Sequence, residues 1–133
     1  MRVVFAITLL GLMAACATNP PPLTEERRQL AAHANRPLVC ADAADCAVKW
    51  GRAVEWVAAN SAYRLQIQTD TVIQTAGPLP HEVRSAFFVS KAPNPDGGAT
   101  ITFRSGCDNA VWGCQPDELE LRGSFARYVL DGQ

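Results

Sequence analysis

Five cysteines stand at positions 16, 40, 46, 107 and 114, and their odd number divides as one plus four. Cys16 follows an apolar run. The other four form two tight pairs, Cys40 with Cys46 and Cys107 with Cys114. If the chain is exported, an even set of four reads as a disulfide framework in an oxidising compartment. Such staples confine what a chain of 133 residues can fold into, because each closes a loop and holds two points of the backbone within a few ångströms.

The N-terminus supplies the export signal. Arg2 is a short positive region, Val3 to Met13 is apolar with Thr8 and Gly11 as weak breaks, and small residues follow at Ala14, Ala15 and Ala17. That is the three-part layout of a secretory signal peptide, and the run is shorter than the roughly 20 residues a transmembrane helix needs. Met13-Ala14-Ala15-Cys16 resembles a bacterial lipobox, with Met13 where leucine is commonest. The resemblance implies that residues 1–15 are removed as a signal peptide, that the Cys16 thiol is diacylated, and that its new amine is acylated. Ala15-Cys16-Ala17 is a rival cut for ordinary signal peptidase, which would release a soluble periplasmic protein. By the same resemblance, Ala17, where inner-membrane retention uses Asp, implies the periplasmic face of the outer membrane of a Gram-negative cell as the expected destination. The membrane, reached through the lipid anchor, is the first expected partner.

Residues 16–37 read as the lipidated N-terminus and a flexible tether. Thr18-Asn19-Pro20-Pro21-Pro22 is extended, since proline fixes its own φ and disfavours helix before it. Leu23 to Asn35 divides evenly between a polar leash and a short helix capped by Thr24. Residues 38–133 form a single body. Asp42 and Asp45 are N-cap candidates for a helix over about Ala43 to Ala59, with Cys46, Trp50, Ala53, Val54 and Val57 on one face. The period then changes to two. Tyr63 to Thr75 alternates as one long bent strand, preferred to a hairpin at Asp70 because no Gly or Asn supplies positive φ there. A second strand covers about Ser85 to Lys91, and Asn94-Pro95-Asp96-Gly97-Gly98 makes a turn. A third strand covers Thr100 to Arg104. Pro116 suits the first position of a last helix carrying Leu121, Phe125, Tyr128 and Val129 on one face.

The fold class expected is α+β: helix, a three- or four-stranded antiparallel sheet, helix, as a two-layer sandwich with both helices on one face. Its core is Trp50, Ala53, Val57, Leu65, Ile67, Ile73, Phe88, Ile101, Phe103, Leu121 and Phe125. Local pairing, Cys40–Cys46 and Cys107–Cys114, is favoured among three connectivities. A simple alternation of directions would nevertheless bring all four thiols to one end and allow crossed pairs. Zinc is disfavoured, because C-x5-C and C-x6-C are looser than the usual ligand spacing.

Catalytic motifs are missing. His33 and His81 have no companion at metal-ligand spacing, Ser105 has no nucleophile elbow, and no glycine-rich phosphate loop occurs. No enzyme activity, cofactor or metal is expected. A formal net charge of -1 gives no footprint for nucleic acid. Two surfaces stand out instead. Trp56 lies to the side of the first helix's apolar face with Arg52 and Lys49 on the same flank, and Trp112 lies in the Cys107–Cys114 loop beside Asp108 and Asn109. Tryptophan and arginine commonly anchor interfaces, so Trp56, Arg52, Trp112 and Asn109 are the candidate binding residues.

The body, over about Cys40 to Val129, also resembles small uncharacterised proteobacterial lipoproteins. Cys40, Cys46, Trp50, Ala53, Trp56, Ile67, Ile73, Thr75, Cys107 and Cys114 carry the resemblance, which implies no particular activity or site. The function expected is that of a lipid-anchored periplasmic protein acting by binding, as an accessory in envelope assembly or maintenance with an envelope protein partner. The alternative is an inhibitor or glycan-binding module directed at peptidoglycan or cell-wall enzymes.

Overall fold

The structure, a computed structural model, describes residues 22–133. The signal peptide expected at 1–15, the expected lipidation site Cys16 and the first part of the expected tether lie outside the described residues. The elements are α1 (Glu25–Ala34), β1 (Val39–Cys40), α2 (Ala43–Asn60), β2 (Leu65–Gln68), β3 (Val72–Thr75), β4 (Ala86–Pro93), β5 (Ala99–Gly106) and α3 (Glu118–Asp131). The architecture is α+β, and the sheet has five strands in the order β1-β5-β4-β3-β2, every pair antiparallel.

The tether is shorter than its sequence suggests, because its second half is α1. Thr24 Oγ1 accepts from the Arg27 N–H, and Glu25 and Glu26 occupy the first turn, where the helix dipole favours acids. A helix of 10 residues with none buried would be marginal alone. Docking on α3 holds it. Gly123 lets the two backbones meet: a Cβ there would stand 2.6 Å from the Leu30 carbonyl oxygen. At one end Arg27 Nη1 donates to Asp117 Oδ2 at 2.7 Å; at the other Arg36 Nη2 donates to Asp131 Oδ1 at 2.9 Å. The helices therefore run parallel, and the folded body begins at α1 rather than at Leu38.

Asp117 also caps α3, accepting from the Glu120 N–H at 2.9 Å; Pro116, expected at the first helical position, precedes this cap. That N–H first, and then Arg27, hold the Asp117 carboxyl below its ordinary range. A carboxyl depressed in the folded state adds stability that is fully present above its unfolded value of about 3.9 and is lost as pH falls through the folded value. Asp45 beside Lys49 and Asp131 beside Arg36 are shifted the same way. Chemical unfolding measured from about pH 5 downward is expected to show stability falling, with a shallower fall in Asp117→Asn.

Asp42 caps α2, accepting from the Asp45 N–H at 2.9 Å. Cys46, Trp50, Ala53 and Val57 are buried along it as the periodicity predicts, and Trp56 joins them. The long bent strand is instead a hairpin. Thr69 Oγ1 accepts from the N–H groups of Thr71 and Val72 at 3.2 and 3.0 Å, and the Thr69 N–H reaches the Val72 carbonyl at 2.8 Å. A threonine side chain closes this turn without glycine or asparagine.

The hairpin has two consequences. Its register slips between Leu65 and Ile67, and such a bulge reverses which face later residues occupy. Leu65 packs on the core while Ile67, expected inside, is 42% exposed opposite Gln74. The added reversal also turns β5 around. Cys40 pairs beside Ala99 at the start of β5, while Cys107 follows its end at Gly106. Disulfides Cys40–Cys46 and Cys107–Cys114 thus close opposite ends of the sheet, roughly 25 Å apart along the strand of 8 residues, and crossed pairing is excluded.

Between β4 and β5 the turn forms as expected, with Gly97 at φ 92° and the Asn94 N–H donating to the Gly98 carbonyl at 2.7 Å. Of two adjacent phenylalanines, Phe87 rather than Phe88 enters the core. Its parity matches Val89, which pairs with Ile73 and Phe103, whereas Phe88 is 37% exposed opposite Arg104. The inner face, with Ile73, Phe87, Val89 and Ile101, packs against Trp50, Ala53, Trp56 and Val57 of α2 and Leu121, Phe125 and Val129 of α3. Helices α2 and α3 therefore share one face, with α1 outside them on α3.

Candidate functional site

The two proposed aromatic surfaces fare differently. Trp56 is only 5% exposed, with its ring centroid 5.3 Å from Phe87, 5.5 Å from Phe103 and 5.2 Å from Phe125. Its flank of α2 is covered because that helix meets α3 as well as the sheet, which widens the buried stripe. Arg52 donates through Nη1 to the carbonyls of Val129 and Leu130, both at 3.2 Å, and so satisfies the end of α3. Lys49 bonds Asp45 and the Val39 carbonyl. These side chains hold the fold and present no patch.

Trp112 is 74% exposed and Val111 81%. Their loop is closed by Cys107–Cys114 and organised by Asn109. Asn109 Oδ1 accepts from the N–H of Val111 at 3.1 Å and of Trp112 at 2.8 Å, and Asn109 Nδ2 donates to the His81 carbonyl at 2.7 Å. His81, at φ 61°, belongs to the loop before β4. Pro80 bridges to Asp108, and the Gln115 N–H donates to the Val83 carbonyl at 2.8 Å. The two loops are one unit at the end of the sheet, and Leu79 on the first of them is exposed. Asn109 is a scaffold residue that shapes the loop, and Trp112 stands exposed at its tip.

A cleft along β5 was not visible in the sequence. Strand β1 covers only the first part of β5: its last bond there is from the Ile101 N–H to the Leu38 carbonyl at 2.7 Å. The same alternation turns the N–H and C=O groups of Phe103 and Ser105 toward the uncovered edge. That edge borders a cleft of about 450 Å³. Leu38, Phe103 and Ala126 provide its apolar surface, and Arg36, Arg104, Arg122 and Glu118 its charges. Arg36 pairs with Asp131 and Arg122 loosely with Glu118 at 3.6 Å, while Arg104 makes no ion pair among the described residues. On the helix-free face, Arg104 joins Phe88 and Gln74 in one row across the strands.

Ser85 Oγ is buried without a hydrogen-bond partner beside a smaller cavity of about 210 Å³ lined also by Asn60, Arg84 and Gln115. Among the described residues no group of three His, Cys, Asp or Glu could hold a metal ion, and no helix is long and apolar enough to cross a membrane. Comparisons with protein-family models, with curated proteins and with solved structures find no match to this chain.

Proposed function

We propose that the protein is a lipid-anchored envelope protein that acts by binding, and that it takes an extended segment of a protein partner along the free edge of β5. The lipobox resemblance at Met13-Ala14-Ala15-Cys16 supports the anchor and the periplasmic face of the outer membrane. The observation that carries the binding mode is the uncovered stretch of β5 beyond Ile101, bordered by a cleft with three arginines and one glutamate. Edge strands present unpaired N–H and C=O groups that template another strand. Addition of a strand gains main-chain hydrogen bonds, and neighbouring pockets select its side chains. The arginines select acidic side chains, with Arg104 the one free of an internal carboxylate. A small binding body held at a membrane fits an accessory role in envelope assembly or maintenance, which is the role proposed.

The test is cross-linking and capture of the full-length lipoprotein from envelope membranes. Arg104→Glu is expected to reduce recovery of the partner about tenfold or more, as for an interface anchor. Ser105→Pro, which removes an N–H directed at the open edge while leaving the β4 side of the ladder intact, is expected to do the same. Undiminished capture by both variants rules out the edge. Retention on peptidoglycan sacculi that neither variant weakens favours the glycan-binding alternative instead.

A further inference from the structure

The exposed tip at Ala110-Val111-Trp112-Gly113 carries no charge, yet its backbone is held firmly. Asn109 Oδ1 takes two of its N–H groups, and the Gly113 N–H donates to the Asn109 carbonyl at 3.1 Å. Three of the tip's four N–H groups are paired inside the loop, and its carbonyls can keep their water at the hydrated headgroup level, so the apolar side chains can seat there without stranding the backbone. Tryptophan favours the headgroup level, where its ring is half in each medium.

The position of the tip selects its partner. Helix α1 starts at the same end of the body, since Arg27 in its first turn bonds Asp117 just after the Cys107–Cys114 loop. The chain from Cys16 to Thr24 spans at most about 30 Å when fully extended. An acylated Cys16 therefore joins the body at this end, so the tip starts within tether reach of the bilayer. Leu23, next to the cap of α1, and Leu79 are exposed there too. Charges around the tip are of both signs, with Asp108, Glu82 and Arg84 on the two loops, so an anionic surface has no special hold on it.

We infer that Val111 and Trp112, with Leu79 on the neighbouring loop, form a second membrane contact that seats in the headgroup region of the bilayer holding the Cys16 anchor. The inference rests on the reading of Cys16 as lipidated. The contact orients the body: the strands stand on end, and the free edge of β5 faces sideways along the membrane surface. It acts with the lipid and not in its place, because a few side chains bind a bilayer far more weakly than acyl chains do.

The fluorescence of Trp112 reads this directly, because Trp50 and Trp56 are buried. The full-length lipoprotein is reconstituted in phosphatidylethanolamine–phosphatidylglycerol vesicles whose acyl chains carry bromine near the headgroup. Emission from Trp112 is expected to fall at least about twofold against unbrominated vesicles, as for a ring at the interface. Trp112→Phe removes the quenchable signal, and Val111→Asp, at a site too exposed to disturb the core, restores most of it. If the protein floats with the vesicles and Trp112 is unquenched, the tip contact is wrong and the anchor stands. Cross-linking of Trp112 to a protein without lipid quenching also overturns it. If the mass of the mature chain shows no acylation, the anchor reading fails. Vesicles added to that unlipidated protein at a large excess of lipid, enough to populate a weak contact, then decide the tip separately: quenching supports the contact, and its absence overturns it.

Discussion

Trp56→Ala is expected to cost about 3–5 kcal/mol, the range for removing a large aromatic side chain from a packed core. The ring fills the place where α2, α3 and the sheet converge, touching Phe87, Phe103 and Phe125, and the last two stack with centroids 4.3 Å apart. Three aromatic rings border that place, so a methyl group there leaves a cavity between them. Native stability is commonly only about 5–15 kcal/mol, so the variant should melt about 12–20 °C lower in a body of this size. Trp112→Ala, by contrast, should change stability by no more than about 0.5 kcal/mol. A Trp56→Ala variant that unfolds within about 1 kcal/mol of the parent would return Trp56 to the surface and revive the flank with Arg52 and Lys49 as a binding patch.

The contrast between these tryptophans shows where sequence reading stops. Periodicity places Cys46, Trp50, Ala53 and Val57 on the inner face of α2, and all four are buried there. It cannot tell how wide the buried stripe is. That depends on how many elements meet the helix, and Trp56 faces both the sheet and α3. Strand parity has the same weakness. Phe87 and Phe88 are equally apolar, so only the pairing of Val89 with Ile73 and Phe103 decides which enters. Ile67 belongs inside by strict alternation, and a single slip of register after Leu65 puts it outside.

The turn at Thr69 had the widest effect. Its signal was a hydroxyl bonding the N–H groups of Thr71 and Val72, a device weaker in sequence than Asn-Gly. Missing it removes one chain reversal and wrongly gathers the four thiols at one end. The local disulfide pairing survives because each pair is close in sequence and needs no knowledge of topology. The β5 cleft had no sequence signal at all, since it exists only because β1 is 2 residues long and its partner 8. Arg36, Arg104 and Arg122 converge on it from a loop, a strand and a helix. The Trp112 tip was legible as an aromatic in a disulfide loop. The scaffold role of Asn109 was not, because an Asn beside a Trp reads equally well as a ligand contact.

Cys16→Ser is expected to abolish stable membrane association. Acyl chains contribute about 0.8 kcal/mol for each buried CH₂; one chain binds only marginally, whereas two or more anchor stably. The variant loses every chain at once. What remains is the Val111–Trp112 tip, and a few interfacial side chains cannot replace that much hydrocarbon. Fractionation should move the protein from the membrane to the soluble pool, or leave an unprocessed precursor, with the membrane-bound mature form reduced roughly a hundredfold or more. Folding should be unaffected, since the body begins at Thr24 and its contacts to α3 do not involve the tether. Partner capture then separates anchor from binding surface. In detergent extract, where membrane proximity no longer helps, Cys16→Ser should capture as well as the parent, while Arg104→Glu should fail. Intact cells should show both variants losing the partner, the first because the β5 edge is no longer held beside the membrane and the second because the edge no longer recognises it. Mature Cys16→Ser protein that stays in the membrane fraction would show that the anchor lies elsewhere.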